Sequence, residues 1–214
     1  MKTFLRGLLL LVGGVAFTTI GAQNLVPNPS FETVSSPPCS WLTSPAQFNN
    51  SMGSWTCPSN GSTDIFSMAV STTCYAHPLS SHPSANGNQL PRTGNAMSAI
   101  LTYGSGCGSQ PNYRENLQAP LTQEFYVSLM DDCRFATNNI QLHFRSGNVF
   151  QSTCFVMNLT PQYSHPTVIT NASGWTLVSG TITATASWNR MVIGNFSSNA
   201  LTTAVSRGGS ATNT

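Results

Sequence analysis

Six acidic residues are spread along the 214-residue chain: Glu32, Asp64, Glu115, Glu124, Asp131 and Asp132. Two carboxyl groups about 5–9.5 Å apart across a cleft can hydrolyse a glycosidic bond. No spacing among these six singles out such a pair. Asp131 and Asp132 are neighbours, and neighbours in a strand point to opposite faces. They converge on a cation only where the chain turns, so a solvated loop is the simpler reading. His77, His82 and His165 each precede a proline, which marks them as turn residues, and His143 lies in an alternating segment. His77 and His82 could share a metal, but nothing else in the sequence completes a site. No Gly-x-Ser-x-Gly elbow is present to supply a nucleophile. Arg114 beside Glu115, with Arg92 upstream, reads as structural ion pairing or hydrogen bonding. The expectation is a protein that is not an enzyme, with glycoside hydrolysis ranked last among its functions.

The aromatic residues make the stronger case. Trp and Tyr offer a flat apolar face with a polar tip, suited to stacking on a sugar ring. Trp41 and Trp55 fall in a long irregular region, Tyr103 stands beside Gly104, Tyr113 precedes a strand, and Trp188 occupies an expected turn. These five are the candidate ligand contacts. The competing reading for Trp41 and Trp55 is that they fill the core beneath the loops, and Trp175 is expected to do so.

Chemistry of this kind needs a scaffold, and the chain's ends, charges and cysteines say where that scaffold works. Lys2 and Arg6 precede an apolar run from Gly7 to Phe17, and Thr18–Ala22 ends in small residues. That pattern predicts a signal peptide over 1–22. The apolar run is shorter than the roughly 20 residues that a membrane-spanning helix needs. Without Lys2 and Arg6, six arginines face six acids and no lysine remains. A basic footprint for nucleic acid is therefore absent. All six cysteines, Cys39, Cys57, Cys74, Cys107, Cys133 and Cys154, follow the signal. An even count in an oxidising compartment favours disulfides, with fifteen pairings open.

The remaining residues, 23–214, suit one domain. Short alternating runs bounded by turn residues predict strands within 94–101, 124–130, 139–144, 175–183 and 190–196, with a shorter run at 64–66. Stretches of helical period are missing. Ser, Pro and Asn fill the region from about 35 to 90, which reads as long loops stapled by disulfides onto a sandwich.

Eight segments in order carry a resemblance: Asn24-Leu25-Val26-Pro27-Asn28-Pro29-Ser30-Phe31-Glu32, Asp64-Ile65-Phe66, Pro91–Ala96, Asn112-Tyr113-Arg114-Glu115, Tyr126–Leu129, Asn138-Asn139-Ile140, Trp175–Gly180 and Ile193–Phe196. Together they resemble a family of exported bacterial proteins that open with a galactose-binding-like jelly-roll domain, often joined to OmpA-like or type IX secretion sorting domains. The resemblance implies an all-β jelly-roll β-sandwich on the outer surface or secreted. It also implies a binding or adhesion module whose partner is a glycan or a cell-surface protein. A structural or assembly subunit of the bacterial outer surface is the alternative. In related jelly rolls a glutamate matching Glu32 helps to hold a structural calcium; the other reading is that Glu32 satisfies backbone N–H groups. The family often has cysteines near Cys39 and Cys74, which implies that pairing. Cys133 with Cys154 follows if the chain returns alongside the strand between them, and Cys57 with Cys107 is what remains. Three departures stand out, one of them Trp188, where the family tends to have a polar turn residue. The segment Pro120–Phe125 looks shorter than the family's hairpin. The family's last strand, aromatic and ending in paired aspartates, is not found before Thr214, so the sandwich is expected to lack it.

Overall fold

A strand whose consecutive residues are all apolar must be covered on both faces. Within Arg190–Gly194 the run Met191–Ile193 is of this kind, with Met191 and Val192 fully buried and Ile193 nearly so. It forms the centre of the largest sheet in the computed structural model, which describes residues 26–83, 85, 87–106, 110–120 and 124–209. In chain order the strands are β1 (Asp64–Ser67), β2 (Ala96–Ala99), β3 (Ser105–Gly106), β4 (Gln110–Pro111), β5 (Leu117–Ala119), β6 (Glu124–Val127), β7 (Phe135–Thr137), β8 (Gln141–Arg145), β9 (Tyr163–Ser164), β10 (Thr176–Ser179), β11 (Arg190–Gly194) and β12 (Ala204–Ser206). The largest sheet has the order β5-β11-β8-β9, and every pairing in it is antiparallel.

Two-residue periodicity sorts the side chains of this sheet. Met191 pairs with Phe144 and Ala119, and Ile193 with Leu142 and Leu117. All six face the main core. Val192 points the other way, into a smaller cluster with Met157 and Phe196. Across the main core lie two strand pairs, β1 with β2 and β6 with β10. They contribute Ile65, Phe125, Val127 and Val178 to the same cluster. The result is an all-β, sandwich-like fold. At one end β12 pairs with β7.

Five predicted segments each contain a strand: β2, β6, β8, β10 and β11. The 64–66 run is β1. The strands missing from the sequence reading, such as β5, β7, β9 and β12, are two or three residues long, too short for alternation to register. The region from 35 to 90 is less irregular than expected. It contains the helix α1 (Pro45–Ser51), whose Phe48 is fully buried in the main core. Pro45 stands in the first turn, where its missing N–H is no loss. Gln47 Oε1 accepts the Ser44 N–H at 3.2 Å and the Thr43 N–H at 2.7 Å. The segment before the helix is not a strand: only Val34 makes a bridge, to Met52.

The cysteines correct the sequence reading in part. Cys39 and Cys74 are joined, with their Cα atoms 4.6 Å apart. Cys57 and Cys133 are free buried thiols, so neither pairing proposed for them, Cys57–Cys107 or Cys133–Cys154, forms. Each is buried on its own: Cys57 belongs to the main core and hydrogen-bonds with Thr63, and Cys133 is hydrogen-bonded at Met130. Pairing by elimination fails because a buried thiol is stable as a small hydrophobe. Cys154 is disulfide-bonded. The predicted signal peptide, Cys107, half of the expected short hairpin (121–123) and Thr214 lie outside the described residues.

Candidate functional site

The chain from Tyr113 to Asn116 is extended, so alternate residues share a side. Tyr113 and Glu115 face one way, and the Tyr113 hydroxyl donates to Glu115 Oε1 at 2.7 Å. Arg114 faces the other way. Its guanidinium donates to the carbonyls of Tyr113 and Ser197 and to Asn199 Oδ1, each at 2.8–2.9 Å. Of the two roles expected for Arg114, ion pairing or hydrogen bonding, the structure shows hydrogen bonding, with no ion pair to Glu115 among the described residues. Burial without a carboxylate pulls the Arg114 pKa down to about 10.

Glu115 opens onto a cavity of about 640 Å³, within the 300–1,000 Å³ typical of small-ligand sites. β1 supplies Asp64 and Phe66 at alternate positions, and β2 supplies Met97, Ser98 and Ala99. Tyr126 and Val127 of β6 also line it, with Trp175 just before β10 and Trp41 from the disulfide-bounded segment. Trp41 is 48% exposed and packs edge-on against Tyr75, with ring centroids 4.8 Å apart. The walls thus combine five aromatic side chains besides Phe66 (Trp41, Tyr75, Tyr113, Tyr126 and Trp175) with two carboxyl groups.

Those carboxyls are held differently. Glu115 Oε2 accepts the Leu101 N–H at 2.9 Å, so both of its oxygens are engaged. Asp64 Oδ1 accepts the Leu42 N–H at 2.6 Å, and Oδ2 has no hydrogen-bond partner among the described residues. Burial pushes Asp64 up to about 7. Burial, and then the negative charge of Asp64, push Glu115 up to about 8, against the opposing bonds from Tyr113 and Leu101. Burial also raises the Tyr75 and Tyr113 phenols, followed for each by nearby carboxylate charge.

A second cavity, of about 360 Å³, shares Met97, Tyr126, Val127 and Trp175 with the first. Trp55 and Phe31 line it, with ring centroids 4.8 Å apart. The Arg92 guanidinium lies 3.4 Å from the centroid of the Tyr126 ring on the shared wall.

The five aromatic candidates therefore divide. Trp41 and Tyr113 line the larger cavity. Trp55 is buried at the smaller one, where its indole N–H is already donated to the Asn28 carbonyl at 2.9 Å. Tyr103 packs edge-on against Phe135, and Trp188 stacks on Phe144 at 5.5 Å; neither lines either of these two cavities. Trp175, expected in the core, is only half-buried and lines both cavities. Asp64, Glu115, Tyr75 and Tyr126 were not selected as contacts. The available signals were the same-face pairs Asp64-x-Phe66 and Tyr113-x-Glu115.

Glu32 does not fit a calcium site. Its carboxylate accepts the N–H groups of Asn95 and Ala96 at 2.9–3.1 Å. Such donors satisfy the anion, whereas calcium takes six to eight oxygen ligands. No group of three or more His, Cys, Asp or Glu residues among the described residues could hold a metal. Gly94, at φ +68°, lets the carboxylate approach, since a Cβ there would collide with Glu32 Oε1. Of the adjacent acids, Asp131 Oδ1 accepts the Asn88 N–H at 2.6 Å.

Fold and site together define an all-β sandwich-like protein with an aromatic, carboxyl-bearing cavity. No family model matches the chain, and neither do any curated proteins or solved structures. No helix among the described residues is long and apolar enough to cross a membrane.

Proposed function

We propose that this chain is an exported, non-catalytic binding module that takes a carbohydrate into the larger cavity. The observation that carries the reading is the combination of a half-exposed Trp41 at a cavity of sugar-accommodating size with hydrogen-bonding groups inside it. Apolar sugar faces stack on indole, while Asp64, Ser98 and Ser128 on the walls can engage hydroxyls. The Cys39–Cys74 disulfide and the leader-like sequence at 1–22 support export. The resemblance to galactose-binding-like jelly rolls supports both the finer fold and the ligand class. A glycan array read with wild type and Trp41→Ala tests it: the expected outcome is selective binding that the substitution abolishes without lowering Tm by more than a few degrees. Absence of binding to every glycan would refute it.

Two acids in one cavity favour a second reading, hydrolysis of a glycosidic bond. Binding is preferred because both Glu115 oxygens are already engaged by Tyr113 and Leu101, leaving that carboxyl poorly placed to exchange a proton with substrate. Turnover of chromogenic glycosides that Glu115→Gln abolishes would reverse the preference.

A further inference from the structure

A cavity that holds two carboxyl groups and no basic side chain is electrostatically incomplete. Asp64 and Glu115 both line the larger cavity, and no Lys, Arg or His is among the described residues of its wall. The Arg114 guanidinium, next to Glu115 in sequence, is already donated to the carbonyls of Tyr113 and Ser197 and to Asn199 Oδ1. Arg92 lies over Tyr126 and lines the smaller cavity, and His82 packs edge-on against Tyr75 with centroids 6.2 Å apart. Asp64 Oδ2 is the one carboxyl oxygen of the pair left without a hydrogen-bond partner among the described residues. The rings of Trp41, Tyr75, Tyr126 and Trp175 share the same walls. Aromatic faces carry negative potential and attract cations within about 6 Å of the ring centre. Carboxylates and rings therefore ask for the same thing, a positive charge brought in by the ligand.

We infer that the ligand of this cavity is an amine-bearing sugar whose ammonium group is received by Asp64. This rests on the carbohydrate-binding reading above and names the ligand more closely. A hydroxyl or an N-acetyl group can donate a hydrogen bond to Asp64 but cannot neutralise it. An ammonium does both, and a charge-assisted hydrogen bond is about twice as strong as a neutral one. The other titratable groups around the pair are the Tyr75 and Tyr113 phenols and the Cys57 and Cys133 thiols, all shifted upward and neutral near pH 7. They do not compete with the ligand for the role of cation. Because the buried carboxyls hold protons near neutrality, an incoming ammonium displaces a proton to solvent.

The test is isothermal titration of the processed full chain with three probes of equal length: a glucosamine trimer, an N-acetylglucosamine trimer and a glucose trimer. At about pH 6 the glucosamine trimer is expected to bind at least ~10-fold more tightly than the other two, a difference of about 1.4 kcal/mol. Its heat should vary with buffer ionisation enthalpy as about one proton released per site. Asp64→Asn should reduce the amine preference to within about twofold and abolish the proton release. Equal or tighter binding of the neutral sugars by wild type overturns the inference and keeps the carbohydrate reading. No binding of any trimer overturns both. Should Asp64→Asn fail to fold, the wild-type comparison and its buffer dependence decide alone.

Discussion

Replacing Glu115 by Gln tests whether the cavity carboxyls are buried as described. Glu115 is 4% exposed, and its pKa rises from the ordinary 4.5 to about 8. An acid whose folded pKa is raised binds its proton more tightly when folded than when unfolded. It therefore contributes full stability below about pH 4.5 and loses it as pH rises through about 8. At ~1.36 kcal/mol per pH unit, the loss reaches about 5 kcal/mol as an upper limit. Gln imitates the protonated acid: its carbonyl can accept the Leu101 N–H and its amide can donate to the Tyr113 hydroxyl, the two partners Glu115 has now. Chemical denaturation at about pH 4.5 and pH 9 should therefore show the variant near wild type in acid and more stable than wild type by several kcal/mol in base. Asp64 keeps part of the pH dependence in both proteins, since it titrates at about 7. An equal destabilisation by Glu115→Gln at both pH values would refute the burial argument.

Three further outcomes follow from other parts of the fold. Replacing Cys39 and Cys74 by Ser opens a loop with a sequence separation of 35; denaturation should show a loss of about 4 kcal/mol. Free-thiol titration of the native protein should be slow at pH 8, because burial raises Cys57 and Cys133 to about 11. Both thiols should react rapidly once denaturant is added. Gly94→Ala should lower stability by more than about 1 kcal/mol, since it strains a left-handed residue and displaces the Glu32 carboxylate from the Asn95 and Ala96 N–H groups. Thermal denaturation that leaves Tm unchanged would contradict that clamp.

The contrast between β11 and β5 explains what could be read from the sequence. β11 was expected within the alternating run 190–196, although its apolar residues prove consecutive with both faces covered, whereas Leu117–Ala119 is three residues long and owes its place to Ile193 and Met191 alongside. The helix at 45–51 is amphipathic over too few turns to show a period, although Ser44-Pro45-x-Gln47 carries a capping signature. Within the site, Trp41 and Tyr113 were legible as aromatics outside the predicted strands. Trp175 was not, because its segment alternates like a strand bound for the core while the indole N–H reaches the Leu90 carbonyl at 3.1 Å and the ring stays half-buried. Asp64 and Glu115 lie 51 residues apart in sequence; only the folded sheets bring them to one cavity. Glu32 shows the reverse: of its two readings, a calcium ligand or an acceptor of backbone N–H groups, the structure shows the second, with partners more than sixty residues away.

The most direct measurement is a crystal structure of the processed chain grown with a saturating glucosamine oligosaccharide. The account predicts a sugar ring stacked on Trp41 and a nitrogen at hydrogen-bonding distance, about 2.7–2.9 Å, from Asp64. A cavity filled only by water, with the sugar bound elsewhere or not at all, would contradict it.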